Sequence, residues 1–211
     1  MARITVLGAA GKSGALIVAE AARRGHEVTA VVRDAGSAPA FPAGVRVTAG
    51  DATDPADAAR LVAGQDVVVS AVGGTDPELY TRVALAVTAA LRAQGAGRVI
   101  HHGGGATLLN EDGVAFLDAP GFPEEFRPYA LAQQRALETY RRIEDVDWVY
   151  VSPPPVDYAP GIRTGSYRLG TDRPVIGADG RARISYEDLA VAVVDEIERP
   201  AHHRERITVG Y

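Results

Sequence analysis

The sequence predicts an α/β fold in which helices cover both faces of a doubly wound parallel sheet. Short β-branched runs alternate with alanine-rich helical stretches from the first residues onward, which is the βαβ rhythm of a parallel sheet. The early apolar runs are nearly continuous, as in strands buried on both faces. A chain of 211 residues is long enough for one large domain of this kind and short for two. We therefore predict a single domain over 1–211.

This rhythm and the capping residues give the individual elements. Strands are predicted at Arg3–Gly8, His26–Val32, Val45–Ala49, Asp66–Val72, Arg98–His101, Trp148–Ser152 and Arg206–Gly210. Helices are predicted at 13–24, 55–63, 77–94, 128–143 and 186–199, with boundary errors of about 2–4 residues. Asp54-Pro55 and Asp76-Pro77 each offer an N-cap carboxylate followed by a proline at the first helical position.

Two segments, 102–127 and 153–183, interrupt the rhythm with many glycine, proline and charged residues. Each follows a predicted strand at its carboxyl end, where open α/β sheets bind ligands. Loops of this length in a compact domain are usually functional. We interpret them as the walls and lid of a substrate site, with ordinary surface connections as the alternative.

Composition and charge exclude several classes of function. A net charge of -5 with scattered arginines argues against a nucleic-acid partner. The chain has no cysteine, and His202-His203 lacks metal-ligand spacing, so no metal site is expected. No stretch reaches the roughly 20 apolar residues of a membrane span, and Met1-Ala2-Arg3-Ile4 shows neither an apolar h-region nor a cleavage signal, so we expect no leader. We expect no membrane partner and a cytoplasmic location; the sequence does not indicate an oligomeric state.

A glycine-rich loop directly after the first predicted strand indicates dinucleotide binding. Gly8, Gly11 and Gly14 follow the spacing G-x-x-G-x-x-G and open the first predicted helix, with Lys12 and Ser13 between them. Glycines there allow a tight turn and let the backbone approach a pyrophosphate at the helix N-terminus. A tight turn without a ligand is the alternative. In its βαβ context the loop favours a Rossmann-type NAD(P)-binding domain.

The end of the second predicted strand bears on the choice of cofactor. NAD enzymes usually place a carboxylate there to accept from the ribose 2′-OH, whereas this chain has Val32-Arg33-Asp34. Arg33 could pair with a 2′-phosphate, and Lys12 adds a second cation. NADPH is therefore the favoured cofactor, and NADH is the alternative because Asp34 supplies a carboxylate at the same place.

Two further cofactor contacts are predicted from position. Asp51, just past the third predicted strand, is a candidate acceptor for the adenine amino group. The backbone of Ala71-Val72-Gly73 is a candidate for passing close to the ribose. A plain turn is the alternative for each.

Motifs along nearly the whole chain resemble those of a known family. They are Ile4–Gly14, Gly25–Arg33, His102–Ala106, Phe122–Glu125, Ala130–Gln133, Gly165–Gly170, Ile184–Ala190 and Thr208–Tyr211. The chain resembles the atypical short-chain dehydrogenases of the NAD(P)H-binding, NmrA-like group, and most of all biliverdin-reductase-B-like and bacterial NADH-flavin reductases. The resemblance implies hydride transfer from NAD(P)H to a flavin or quinone acceptor, with the flavin a substrate rather than a tightly bound group.

One departure from the wider family concerns its acid/base pair. Typical members use Tyr-x-x-x-Lys, whereas this chain has Tyr129 and Gln133 at the corresponding places, and its only lysine is Lys12. Gln133 could hydrogen-bond a ribose hydroxyl, but it cannot lower the pKa of a phenol by charge. A flavin acceptor is compatible with the absence of this lysine, because its protons can come from solvent. A non-catalytic NADP(H) redox sensor fits it equally well, and sugar-nucleotide epimerase activity is disfavoured.

The remaining candidates line the acceptor side. Gly103-Gly104-Gly105 would let a flat ring approach the backbone, although a flexible linker is the alternative, and Pro153 could shape the nicotinamide face. His101 and His102 alternate sides along their strand, so at most one of them faces the site. We consider His102 and Tyr129 candidate catalytic residues and Tyr158 a candidate ring-stacking residue; packing alone is the alternative for both tyrosines.

Overall fold

An eight-stranded sheet forms the centre of the structure, a computed structural model that describes residues 1–211 apart from the side chain of Ser37. Its strands are β1 (Arg3–Leu7), β2 (Glu27–Val32), β3 (Arg46–Ala49), β4 (Val67–Ser70), β5 (Arg98–His102), β6 (Asp147–Ser152), β8 (Arg168–Gly170) and β10 (Glu205–Gly210). The spatial order is β3-β2-β1-β4-β5-β6-β10-β8. All neighbouring pairs are parallel except β10 with β8.

Five helices cover the two faces of this sheet. They are α1 (Lys12–Arg23), α2 (Pro55–Val62), α3 (Leu79–Gln94), α4 (Arg127–Arg141) and α5 (Tyr186–Glu198). Helices α1 and α5 pack together over one face, and α2, α3 and α4 cover the other. The predicted Rossmann-type, doubly wound single domain is therefore confirmed. Among the described helices, none combines the length and apolar character needed to cross a bilayer.

Local capping explains where several helices begin. The Asp54 carboxylate accepts from the backbone N–H of Asp57 at the start of α2, with Pro55 in the first position. The prediction for Asp76 was wrong by two residues, because Glu78 is the N-cap of α3. The Asp76 side chain instead accepts from the Glu78 N–H, so this carboxylate organises the turn before the helix.

Two short strands lie inside the segment 153–183, which was predicted to be irregular, and a third begins at its last residue. Strands β7 (Asp157–Ala159) and β9 (Arg183–Ser185) pair in a separate two-stranded parallel sheet, and β8 joins the main sheet beside β10. The segment 102–127 instead folds into three short 3₁₀ turns at 105–107, 116–118 and 124–126. Arg173 Nη1 donates to the Asn110 carbonyl at 2.8 Å and so joins the two segments. Much of the predicted lid is therefore fixed to the domain.

A strap, residues 160–167, is bound to α1 and α5 by carboxylates, of which Glu20 and Asp188 are buried and Asp195 is half-buried. Arg163 pairs with Glu20, and the Tyr167 hydroxyl donates to Asp195. Asp188, with no exposed surface, accepts from the N–H and hydroxyl of Thr164 at 3.1 and 2.6 Å. Its carboxylate also accepts from the Gly165 N–H and the Tyr211 hydroxyl at 2.8 and 2.7 Å.

These contacts determine the ionisation of Asp188. Burial alone would raise the pKa of its carboxyl, but the hydrogen bonds from Thr164 and Tyr211 outweigh that effect, and the pKa lies below its ordinary range. The carboxylate is thus charged in the folded protein and holds one end of the strap.

Candidate functional site

The glycine loop lies where β1 and β4 end side by side, at the point where the strand order reverses. The Ala71 N–H donates to the Leu7 carbonyl at 2.9 Å. Gly8 has φ +75°, and a Cβ there would lie 2.5 Å from the Ala71 carbonyl oxygen. Glycine is therefore required at this place to bring the loop after β1 against the segment after β4. Open α/β sheets bind ligands at this kind of crevice.

The other two glycines of the loop differ in what they do. A Cβ on Gly14 would lie 2.3 Å from the Gly8 carbonyl oxygen, so glycine here lets α1 pack onto the loop. A Cβ on Gly11 would meet its nearest neighbour, the same oxygen, at 3.2 Å. The exposed Gly11 thus has far less need to be glycine for the packing of the loop itself.

The N-terminus of α1 offers donors to an anion. Gly11 is its N-cap residue, and no described side chain caps the helix there. Uncapped N–H groups at a helix N-terminus attract phosphate. The open space at Gly11 and these donors fit the pyrophosphate of a dinucleotide.

The predicted cofactor-selecting residues lie at the same edge of the sheet. Lys12 is exposed in the first turn of α1, and Arg33 is exposed directly after β2. The Asp34 side chain accepts from the Gly36 N–H at 2.9 Å and caps a 3₁₀ turn. Asp51 Oδ1 accepts from the N–H and hydroxyl of Thr53, which lowers the pKa of Asp51. Its adenine contact stays a prediction.

The segment after β4 brings the predicted ribose and acceptor residues together. Ala71 and Val72 are half-buried, and Gly73 is exposed. A Cβ on Gly73 would lie 3.5 Å from the Tyr129 hydroxyl. Tyr129 is 44% exposed and lies edge-on to Tyr80 at 5.9 Å. The structure therefore places Tyr129 at the wall of the crevice.

The two histidines of β5 face opposite sides of the sheet, as expected. His101 is fully buried, stacks on Tyr150 at 5.0 Å, and lies 3.3 Å from Gln133 Oε1. Burial lowers its pKa to about 3, so it is neutral at pH 7. His102 faces the α1 side, where burial lowers its pKa to about 4.

Three predicted site residues from distant parts of the chain meet at one point. The Tyr158 hydroxyl lies 2.6 Å from Ser13 Oγ and 2.9 Å from His102 Nε2. Burial raises the pKa of Tyr158 well above its ordinary value. Neither Tyr158 nor His102 is therefore ionised at neutral pH.

Gln133 and Pro153 are both buried. The Gln133 side chain oxygen accepts from the Tyr150 hydroxyl at 2.8 Å. This amide oxygen is thus held inside the protein, and a contact with the nicotinamide ribose stays a prediction. So does the predicted role of Pro153 at the nicotinamide face.

The glycine run after β5 has a packing role that sequence reasoning did not identify. A Cβ on Gly103 would lie 1.9 Å from the Tyr150 ring, and one on Gly105 would lie 2.4 Å from the Pro153 carbonyl oxygen. Close internal packing therefore accounts for two of the three glycines. Gly104 is only partly buried, and its N–H donates to the Tyr150 hydroxyl at 3.4 Å. The approach of a flat ring to this run stays a prediction.

Comparison with known proteins decides the family. A model described as NAD(P)H-binding matches residues 8–200, from the first glycine of the loop to the proline after α5. The chain belongs to the NAD(P)H-binding family. This confirms the predicted resemblance to the NAD(P)H-binding group of atypical short-chain dehydrogenases.

Solved structures of similar proteins extend over the whole chain of this NAD(P)H-binding protein. A candidate exported protein from Burkholderia pseudomallei is 40% identical, with a TM-score of 0.89 and 100% of both chains covered. A candidate epimerase from Bacteroides thetaiotaomicron is 34% identical, with a TM-score of 0.91, covering 100% of this chain and 97% of that one. A candidate NADH-flavin reductase from Streptococcus pneumoniae is 32% identical, with a TM-score of 0.83, covering 100% and 99%.

Sequence reasoning missed two residues that organise the structure of this NAD(P)H-binding protein. Tyr150 supports the run 103–105 from below, and Asp188 holds the strap. Asp188 follows Ser185 by three residues, a capping spacing, and Ser185 Oγ accepts from the Asp188 N–H. This spacing was the only signal in the sequence for Asp188, and Tyr150 looked like any other strand residue. Among the described residues, no group of three His, Asp or Glu side chains could hold a metal ion.

Proposed function

We propose that this protein is a reductase that transfers hydride from NAD(P)H, preferentially NADPH, to a flat acceptor such as a flavin or quinone. The observation that carries this proposal is the open glycine loop at the strand-order reversal, with Gly11 exposed and α1 uncapped. His102 and Tyr158 adjoin this loop through Ser13. A dinucleotide and a second ring can thus bind at one edge of the sheet.

The chain's own residues would hold the dinucleotide in an extended pose. The cofactor, when bound, supplies the hydride. The α1 N–H groups would bind the pyrophosphate, and Arg33 and Lys12 would pair with a 2′-phosphate. Positioning of the two rings then supplies most of the rate.

The class of acceptor follows from the lack of a described side chain in the site that is matched to proton transfer near neutral pH. The pKa of His102 is far below neutral and that of Tyr158 is raised by burial, so neither is matched to proton transfer near pH 7. The only lysine, Lys12, lies in the glycine loop, on a different element from Tyr129. An acceptor that takes its proton from water suits these residues. The flavin reductase description of the Streptococcus pneumoniae protein supports the same class.

NADPH consumption with added FMN, riboflavin or a quinone tests the proposal directly. We expect turnover with at least one of these acceptors. Tight NADPH binding with no turnover would favour the redox sensor instead. An absence of NADPH binding would contradict both functions.

Arg33→Ala should weaken NADPH binding by about 1.5–3 kcal/mol and leave NADH nearly unchanged, because a charge-assisted hydrogen bond to the 2′-phosphate is lost. The measurement is the Kd of both cofactors by titration calorimetry. Arg46→Ala is the matched control, since this exposed arginine begins β3 opposite Thr29 and so lies away from the carboxyl ends of the strands. Equal losses for NADPH and NADH would show that Arg33 does not bind the 2′-phosphate.

Tyr129→Phe should keep flavin reduction within about tenfold of the parent, below the roughly 10²–10⁴ contributed by a positioned acid or base. Any loss should appear in KM, since the half-exposed ring keeps most of its apolar contact. Steady-state kinetics with NADPH and FMN from pH 6 to 9 provide the measurement. A thousandfold fall in kcat at unchanged KM would identify Tyr129 as the acid.

A further inference from the structure

Tyr158 connects the two halves of the proposed site through hydrogen bonds. Its hydroxyl lies between Ser13 Oγ and His102 Nε2, at 2.6 and 2.9 Å. Ser13 occupies the first turn of α1, where the pyrophosphate would bind, and His102 ends β5 on the acceptor side. The three side chains therefore form an unbroken series of hydrogen bonds from one half to the other.

This series of hydrogen bonds can run in either direction. In the first, Ser13 donates to Tyr158, Tyr158 donates to His102 Nε2, and the imidazole proton is on Nδ1. In the second, Nε2 carries the proton and donates to Tyr158, which donates to Ser13, and the Ser13 hydroxyl can donate to another group. A neutral imidazole has a single N–H, so the two directions correspond to its two tautomers.

His102 can take part in either direction in the protein without an anion. Burial lowers the pKa of this ring to about 4, so it is neutral at pH 7 and carries a single N–H. Its Nε2 lies 2.9 Å from the Tyr158 hydroxyl, which can donate to this nitrogen or accept from it. Both tautomers therefore complete the series when Ser13 has no anion beside it.

We propose that a dinucleotide pyrophosphate at the glycine loop fixes the series in the second direction and holds the His102 proton on Nε2. This inference rests on the proposed dinucleotide site, and it makes Ser13 and Tyr158 positioning residues for His102. A hydroxyl that donates to a phosphate oxygen makes a charge-assisted bond, roughly twice as strong as a neutral one. Ser13 therefore turns its proton to the phosphate, Tyr158 donates to Ser13, and Nε2–H donates to Tyr158.

A change from the first direction to the second conserves protons. Both hydroxyl groups keep their hydrogens and only rotate. The ring releases the Nδ1 proton to solvent and takes up one proton at Nε2, so the net protonation of the protein does not change. Binding of the pyrophosphate in one half of the proposed site thereby determines the tautomer of His102 in the acceptor half.

Nitrogen-15 NMR of histidine-labelled protein at pH 7 tests this inference. The spectrum is recorded with and without NADP⁺, and the His102 signals are assigned by their loss in His102→Gln. We expect both tautomers in the free protein and the Nε2–H tautomer alone with NADP⁺ bound. Titration calorimetry establishes binding independently of any turnover.

Two variants should remove the response at saturating NADP⁺. Ser13→Ala lacks the proposed donor to the phosphate and should bind NADP⁺ more weakly, so calorimetry sets the concentration used. In Ser13→Ala and in Tyr158→Phe the series is interrupted, so the His102 nitrogens should keep the same tautomer populations with and without NADP⁺. If Tyr158→Phe fails to fold, Ser13→Ala provides the test. Tyr167→Phe is the matched control and should retain the full change, because its hydroxyl donates to Asp195 on α5.

The outcomes separate this inference from the proposed function. NADP⁺ binding with unchanged His102 nitrogens would overturn the tautomer exchange and leave the dinucleotide site intact. An exchange that persists in both interrupted variants would also overturn it. If calorimetry shows no binding of NADP⁺, the proposed function and this inference both fail.

Discussion

Gly11→Val should weaken NADPH binding by more than about 100-fold, or about 2.7 kcal/mol, while the fold persists. The Gly11 backbone has φ -74° and ψ 164°, an extended conformation that valine adopts readily. The added methyl groups would project beside the α1 N-terminus, into the space that the pyrophosphate needs. The measurement is the Kd for NADPH by titration calorimetry, together with thermal unfolding.

The graded variant Gly11→Ala separates the ligand effect from the packing effect. Its single added carbon would lie 3.2 Å from the Gly8 carbonyl oxygen, so a small shift of the loop accommodates it. We expect a smaller loss of affinity than with valine and little change in unfolding temperature. An unchanged NADPH Kd in a folded Gly11→Val protein would contradict the assignment of the pyrophosphate to this loop.

Asp188→Asn should lower the free energy of unfolding by about 3 kcal/mol at pH 7, because hydrogen bonds to a buried charge are each worth about 1.5–3 kcal/mol. The asparagine amide would turn one N–H₂ group toward donors from Thr164, Gly165 or Tyr211. Urea unfolding of both proteins provides the measurement. Asp157→Asn is the control, since its exposed pair with Arg181 should be worth at most about 1 kcal/mol.

The pH dependence of that difference has a defined sign. The folded pKa of Asp188 lies below its unfolded value, which is about 3.9. Its contribution is therefore complete above about pH 4 and is lost as the pH falls through the folded pKa. The stability gap between the parent and Asp188→Asn should narrow below pH 4. A gap that is constant with pH would mean that the carboxylate charge is not what binds the strap.

The sequence was sufficient for the elements with strong local signals. Strand β1 is a nearly continuous apolar run, and α2 has both a cap and a first-turn proline, so their places follow from local chemistry. Strands β7, β8 and β9 have three residues each, which is too short for any periodicity. Strand β8 forms because β10 supplies its hydrogen-bond partners, and β7 and β9 form because they pair with each other. Tertiary pairing of this kind cannot be recognised from the local composition.

In the candidate site, too, the residues with a local sequence signal were predictable and those that depend on tertiary contacts were not. Gly8 and Gly14 could be identified because a spacing of glycines after a strand has few other uses. The meeting of Ser13, His102 and Tyr158 could not, since it depends on the tertiary contacts that bring Tyr158 of β7 to Ser13 of α1 and His102 of β5. For Gly103 the sequence suggested approach of a ligand, and the structure supplies a Tyr150 ring in the same space.

The pairing of α1 with α5 has a consequence for biosynthesis. Residues 12–23 form the first helix of the chain, and the helix that packs beside them spans residues 186–198. Contacts between such distant segments must wait for loop closure and slow the folding of the domain. During translation the apolar face beneath α1, including Ile4 and Val6, lacks its full cover until α5 leaves the ribosome. The nascent chain therefore exposes an apolar surface, of the kind that chaperones bind, for nearly the whole of its synthesis.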